Sequence, residues 1–182
     1  MIPFKKIIIS LLTSSLFLLS LIAEALPSGY KNIKLGSSLE DTKIALLKDS
    51  DFGYRGERDV SLVPGTGKIL IETNTYSKFR AGFLEECYFQ FFEDKLFIIT
   101  ININQEKMDY YSIFTKLQEK YGEPSSFDPK SATWENDDVS MSLEKPLTLK
   151  YIDKKLFDKI QNYSNINSSP EEKTQEMFLD EL

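Results

Sequence analysis

Glu85-Glu86 and Asp137-Asp138 are adjacent carboxylate pairs, the side chains that general acid–base and glycosidic chemistry use. Such chemistry needs two carboxyl groups facing each other across a substrate, roughly 5–9 Å apart. Neighbours on a strand point to opposite faces, so Glu85 and Glu86 do not share a substrate. Glu85 falls on the apolar face with Phe83 and Cys87, where it marks a strand start or pairs with a base such as Arg80. Asp49-Ser50-Asp51-Phe52-Gly53 resembles the opening of a calcium loop. An EF-hand needs Gly at loop position six and Glu at twelve, and those positions hold Tyr54 and Val60. The chain has no histidine, so the commonest general base and metal ligand are missing together. Serine catalysis therefore lacks its usual partner. Gly65 and Gly67 follow Pro64 with no helix after them, unlike a phosphate loop. The expectation is no catalytic set, no metal and no cofactor.

The elements that would position any site begin with an address. Lys5 and Lys6 precede an apolar run, Ile7 to Ile22, and Ala23-Glu24-Ala25 places small residues where a signal peptidase looks. Cleavage is expected after Ala25, with Ala23 and Ala25 as the recognised residues. The run carries five hydroxyls and is shorter than the roughly 20 apolar residues of a membrane span. Membrane contact is thus expected only through this segment, if it stays uncleaved. Cys87 is the single cysteine, so no internal disulfide forms and the fold must rest on its core. Nineteen lysines against three arginines, with abundant Ile, Phe, Asn and Tyr, fit an AT-rich bacterial genome. The expected location is the periplasm or cell envelope.

The chain carries 22 basic and 28 acidic residues, a net charge of −6. No basic run relieves that balance, which argues against nucleic acid and anionic lipid surfaces. Residues 26–163 suit one domain, and 164–182 read as a linker and short C-terminal helix. Ser38 caps a helix over Leu39–Lys48, and Asp109–Tyr121 sets Tyr110, Ile113, Phe114, Leu117 and Tyr121 on one stripe. Strands are expected at Asp59–Val63, Lys68–Tyr76, Arg80–Phe92, Leu96–Asn104, Ala132–Glu135, Val139–Glu144 and Thr148–Ile152. Alternation puts Phe83, Cys87, Phe89 and Phe91 on one face, and Phe97, Ile99, Ile101 and Ile103 on one face of the next strand. Lys154–Tyr163 is expected to be a short helix. The fold class is α+β, an antiparallel sheet covered by helices, in two similar helix-plus-strands halves. In the tail Ser169 caps, Pro170 opens the helix, and Met177, Phe178 and Leu182 are its apolar contacts for a partner or for the domain.

LGSSLEDTKIALL resembles the helix openings of small exported α+β modules, and LQEKYGEP followed by Trp134 is similar to a segment of SmpA/BamE-like modules. These modules are related in architecture to β-lactamase-inhibitor-like proteins. The chain differs in lacking the lipoprotein cysteine. The resemblance implies helices layered on an antiparallel sheet and a protein that acts by binding envelope proteins, without catalysis. The expected function is therefore a protein-binding or envelope-maintenance module whose partner is another envelope protein. The alternative is a periplasmic carrier holding a small hydrophobic ligand between the sheet and helix 109–121.

Overall fold

The computed structural model describes residues 24–56, 60–63, 68–74 and 82–166. Strands β1 (Gly29–Tyr30) and β2 (Ile33–Lys34) make a small hairpin ahead of helix α1 (Leu39–Lys48). Then come β3 (Val60–Val63), β4 (Lys68–Asn74), β5 (Leu84–Phe92) and β6 (Lys95–Ile103). Helix α2 (Tyr110–Tyr121) opens the second run, followed by β7 (Ser126–Phe127), β8 (Ser131–Glu135), β9 (Val139–Glu144) and β10 (Thr148–Asp153). Helix α3 (Lys154–Ile166) follows β10 directly. The order β3-β4-β5-β6-β10-β9-β8-β7 makes one antiparallel sheet of eight strands. It consists of two meanders joined at their last strands, where Leu149 pairs with Ile101 and Tyr151 with Ile99. The molecule is a mixed α+β domain.

Local chemistry sets the helix ends. The Ser38 hydroxyl accepts the Asp41 N–H and donates to the Asp41 carboxylate at 2.7 Å, a reciprocal cap. The Leu39 N–H, which would otherwise lack a partner, donates to Asp94 at 2.9 Å. Asp109 caps α2 by accepting the Ser112 N–H, and Gly122 at φ +83 ends that helix. The Trp134 indole N–H donates to the Gly122 carbonyl at 2.8 Å, tying the helix end to β8.

The inner face of the sheet carries the main core. Leu46 of α1, Phe52, Cys87, Phe89, Phe91, Ile99, Ile101, Trp134, Met141 and Leu143 are buried there, and Ile113, Phe114, Leu117 and Tyr121 of α2 pack against them. In β9 Val139, Met141 and Leu143 are buried while Ser140, Ser142 and Glu144 are half-buried, as their alternation requires.

Two β-bulges correct the expected faces of β5 and β6. Leu84 pairs with Ile103 but Cys87 with Ile101, so Glu85 and Glu86 span a register shift. Leu84 takes the buried place expected for Phe83, and Phe83 is 57% exposed. The second shift lies between Gln90 and Phe91, whose partners are Ile98 and Leu96. Leu96 therefore joins the inner core and Phe97 leaves it. Phe97 packs with Phe92 and Ile160, with Leu156 and Phe157 of α3 alongside, in a separate cluster. The sheet is thus covered on both faces: α1 and α2 on the inner, α3 on part of the outer.

Candidate functional site

An aromatic group runs from α2 to the last strand of the sheet. Tyr110 stacks on Phe114 at 6.4 Å between centroids, and Phe114 meets Trp134 at 5.9 Å and Phe127 at 5.5 Å. Its inner members are anchored: the Tyr110 hydroxyl donates to the Leu143 carbonyl at 3.2 Å. Its outer member is not covered, with Phe127 65% exposed; Tyr111, next to Tyr110 along α2, is 74% exposed. Exposed apolar groups carry weight when they are contiguous, and Phe127 continues the Tyr110–Phe114 stack to the surface.

Beside Phe127 lies an open cleft of about 570 Å³ lined by Asp128, Pro129, Lys130, Ser131, Glu144 and Lys145. The β7–β8 and β9–β10 turns form it, and the Lys145 N–H donates to the Lys130 carbonyl at 2.8 Å. Asp128 organises the first turn by accepting the Lys130 and Ser131 N–H groups at 2.6 and 2.9 Å. These donors, with the Ser131 hydroxyl, hold its carboxyl below the usual carboxylate range. Glu144 accepts Lys150 with both oxygens, at 2.8 and 2.9 Å, and also the Ser142 hydroxyl. Both carboxylates of the cleft are committed to structural partners. The Lys145 ammonium sits 5.5 Å from the centre of the Tyr110 ring, which joins cleft and aromatic group.

The residues singled out for chemistry are held elsewhere. Glu86 accepts the Tyr88 hydroxyl at 2.8 Å, and that bond, before burial, pushes the tyrosine up to about 12. Asp138 pairs with Lys155 at the start of α3. Asp49 and Asp51 both accept the Lys31 ammonium, which lies 5.7 Å from the Phe52 ring, so the calcium-like run is an ion-paired turn. Two Ser-x-x-Lys spacings occur, Ser28 to Lys31 and Ser142 to Lys145. Both lie on extended or hairpin chain, where positions three apart are not on one helical face. Their lysines face Asp49 and Asp51, and Tyr110, respectively.

Ala25 is exposed and Leu26, the residue after it, packs against the main core. The Glu24 N–H donates to the Lys120 carbonyl at 2.9 Å. Ala23, Met177, Phe178 and Leu182 lie outside the described residues. No group of metal-ligating side chains occurs among the described residues, and none of their helices is long and apolar enough to cross a membrane. Between the sheet and α2, where the alternative reading expects a ligand, Phe114, Leu117 and Tyr121 pack against the main core that includes Trp134. The aromatic edge was missed in the sequence because β7 has only two residues. Its signal was a lone Phe127 ahead of Asp128-Pro129, an apolar residue amid turn formers.

This architecture, a two-meander sheet with helices on both faces and an uncovered aromatic edge, defines a small α+β domain. A family model described as the TP0088 domain matches residues 28–163, which is most of the chain. The chain belongs to the TP0088 domain family. No curated protein and no solved structure matches it.

Proposed function

We propose that this protein is an exported, non-enzymatic module of the cell envelope that binds another envelope protein. The observation that carries the reading is the exposed Phe127 ring on the aromatic group of α2, beside a cleft whose carboxylates are already committed to structural partners. Such a surface suits contact, because aromatic anchors contribute strongly to interfaces while ion-paired acids are poor proton carriers. The signal-like N-terminus, cleaved after Ala25, directs the protein to the periplasm, where Leu26 becomes the first residue packed on the core. The resemblance to SmpA/BamE-like modules supports the same class of role. It also accords with two similar halves, since α1 precedes one four-strand meander and α2 the other.

The test is crosslinking in intact cells followed by pull-down, with wild-type protein and a Tyr111→Ser/Phe127→Ser variant. One envelope protein recovered by the wild type and lost with the variant is the expected outcome. Recovery that is indifferent to both substitutions overturns the site.

A further inference from the structure

The register of the last strand says more about what the edge accepts. β7 pairs with β8 through Phe127–Ala132 and Ser126–Thr133, and the Asp128 N–H donates to the Ser131 carbonyl at 2.9 Å. Antiparallel ladders alternate between residues that exchange hydrogen bonds and residues that do not. With Asp128 and Ser126 bonded toward β8, the N–H and carbonyl of Phe127 face away from the sheet. Ser125 lies just outside the ladder, its hydroxyl accepting the Glu135 N–H of β8 at 3.3 Å. Ser125 to Lys130 are all exposed, and β7 ends the strand order. Pro129 brings no N–H to the next outward position, so pairing stops there. The edge is short and bounded: one or two residues of an incoming chain find backbone partners.

Side chains add a chemical preference. The Phe127 ring, lying against Phe114, gives an apolar seat next to that backbone arm. Beyond Pro129, Lys130 and Lys145 both line the cleft. Asp128 is saturated by its own turn and Glu144 by Lys150. Among the described residues neither Lys130 nor Lys145 is in an ion pair, although Asp128 lies near enough to Lys130 for their charges to interact. On a chain of net charge −6 this is a local cationic spot at the end of an open strand edge.

We propose that the β7 edge takes up an extended, acidic peptide segment as a ninth strand. The segment hydrogen-bonds to the Phe127 backbone, seats an apolar side chain on its ring and sets a carboxylate between Lys130 and Lys145. This rests on the binding-module reading and specifies the partner's chemistry: main-chain bonds give affinity, and the two flanking pockets give selectivity.

The experiment pans a random peptide library displayed on phage against the folded protein, and measures the synthesised winners on three variants. Phe127→Pro removes the outward N–H without removing a bond to β8, whereas Phe127→Thr keeps that N–H and equally loses the ring. Enriched peptides are expected to be acidic with alternating β-branched residues, and to bind Phe127→Pro about tenfold more weakly than Phe127→Thr, one hydrogen bond's worth. Lys130→Glu/Lys145→Glu is expected to lose about tenfold or more, with recovery when the peptide's acid is replaced by lysine. Circular dichroism and thermal melting establish that each variant is folded. Equal binding by folded Phe127→Pro and Phe127→Thr, basic winners, or no enrichment overturns the proposal. If the crosslinked envelope partner is lost with Tyr111→Ser/Phe127→Ser yet captured equally by the Pro and Thr variants, the contact surface stands and strand addition falls.

Discussion

At the scale of single residues, Thr73 and Cys87 face each other across β4 and β5 in the inner core. The Thr73 hydroxyl is buried with no hydrogen-bond partner within bonding distance among the described residues, and only the weakly polar Cys87 thiol is set against it. A desolvated hydroxyl without a partner costs free energy that an isosteric methyl does not. Thr73→Val is expected to raise stability by about 1 kcal/mol, read as a higher urea midpoint at unchanged slope. Cys87 is wholly buried, and burial pushes its thiol from 9.0 up to about 12. In the unfolded chain the thiol ionises near 9, so the folded state holds its proton longer. Its contribution is fully present below pH 9 and is lost as pH rises from 9 toward 12. Burial raises Tyr30 and Tyr151 as well, and they act in the same direction. The thiol's share is therefore the difference between wild type and Cys87→Ala. Wild-type stability should fall more steeply than that of Cys87→Ala above pH 9 in urea titrations, and equal slopes would refute the assignment. The absence of histidine and of a disulfide pair was legible at this scale. The unpaired hydroxyl was not, because only strand register brings Thr73 to Cys87.

At the scale of elements, what could be read and what could not divide along hydrogen-bond pattern. Helix α1 was found to its residue limits because Ser38 and Asp41 announce its start, and α2 because its apolar stripe repeats at helical spacing. Val139–Glu144 was found because nothing interrupts its alternation. The two bulges were invisible, since an extra residue shifts side chains between faces without changing composition. Simple alternation therefore assigns Phe97 to the inner core and leaves α3 without a face to cover. A double-mutant cycle tests the corrected arrangement. Phe97→Ala alone is expected to cost about 3 kcal/mol. Combined with Ile160→Ala it should show a coupling of about 1 kcal/mol, because the two side chains share the outer cluster. Combined with Leu46→Ala, on the other side of the sheet, the costs should add within about 0.5 kcal/mol. Coupling to Leu46 in place of Ile160 would restore the simple alternation.

At the scale of the whole molecule, the sequence displayed two runs of a helix followed by strands but not how they meet. Alternation tells which side chains share a face and is silent about which strand lies beside which. The junction is the pairing of β6 with β10, a contact between residues about fifty positions apart, with Ile99, Ile101, Leu149 and Tyr151 at its centre. Those residues belong to the same core as Leu46, Phe89, Trp134 and Met141, so neither meander owns a separate interior. The α2 stripe spans the join: Phe114 contacts Trp134 of the second meander while the helix packs on the shared cluster. A chain built this way gains little from folding one meander alone, since its last strand would expose an unpaired edge of alternating isoleucines. Thermal unfolding is therefore expected as a single transition, with calorimetric and van't Hoff enthalpies equal. Ile101→Ala should lower that one midpoint without splitting it, at a cost of about 3 kcal/mol. Two resolved transitions, or a broadened one in which the near-ultraviolet signal of Trp134 is lost before the far-ultraviolet signal, would mean that the meanders fold independently and that the β6–β10 seam joins two units.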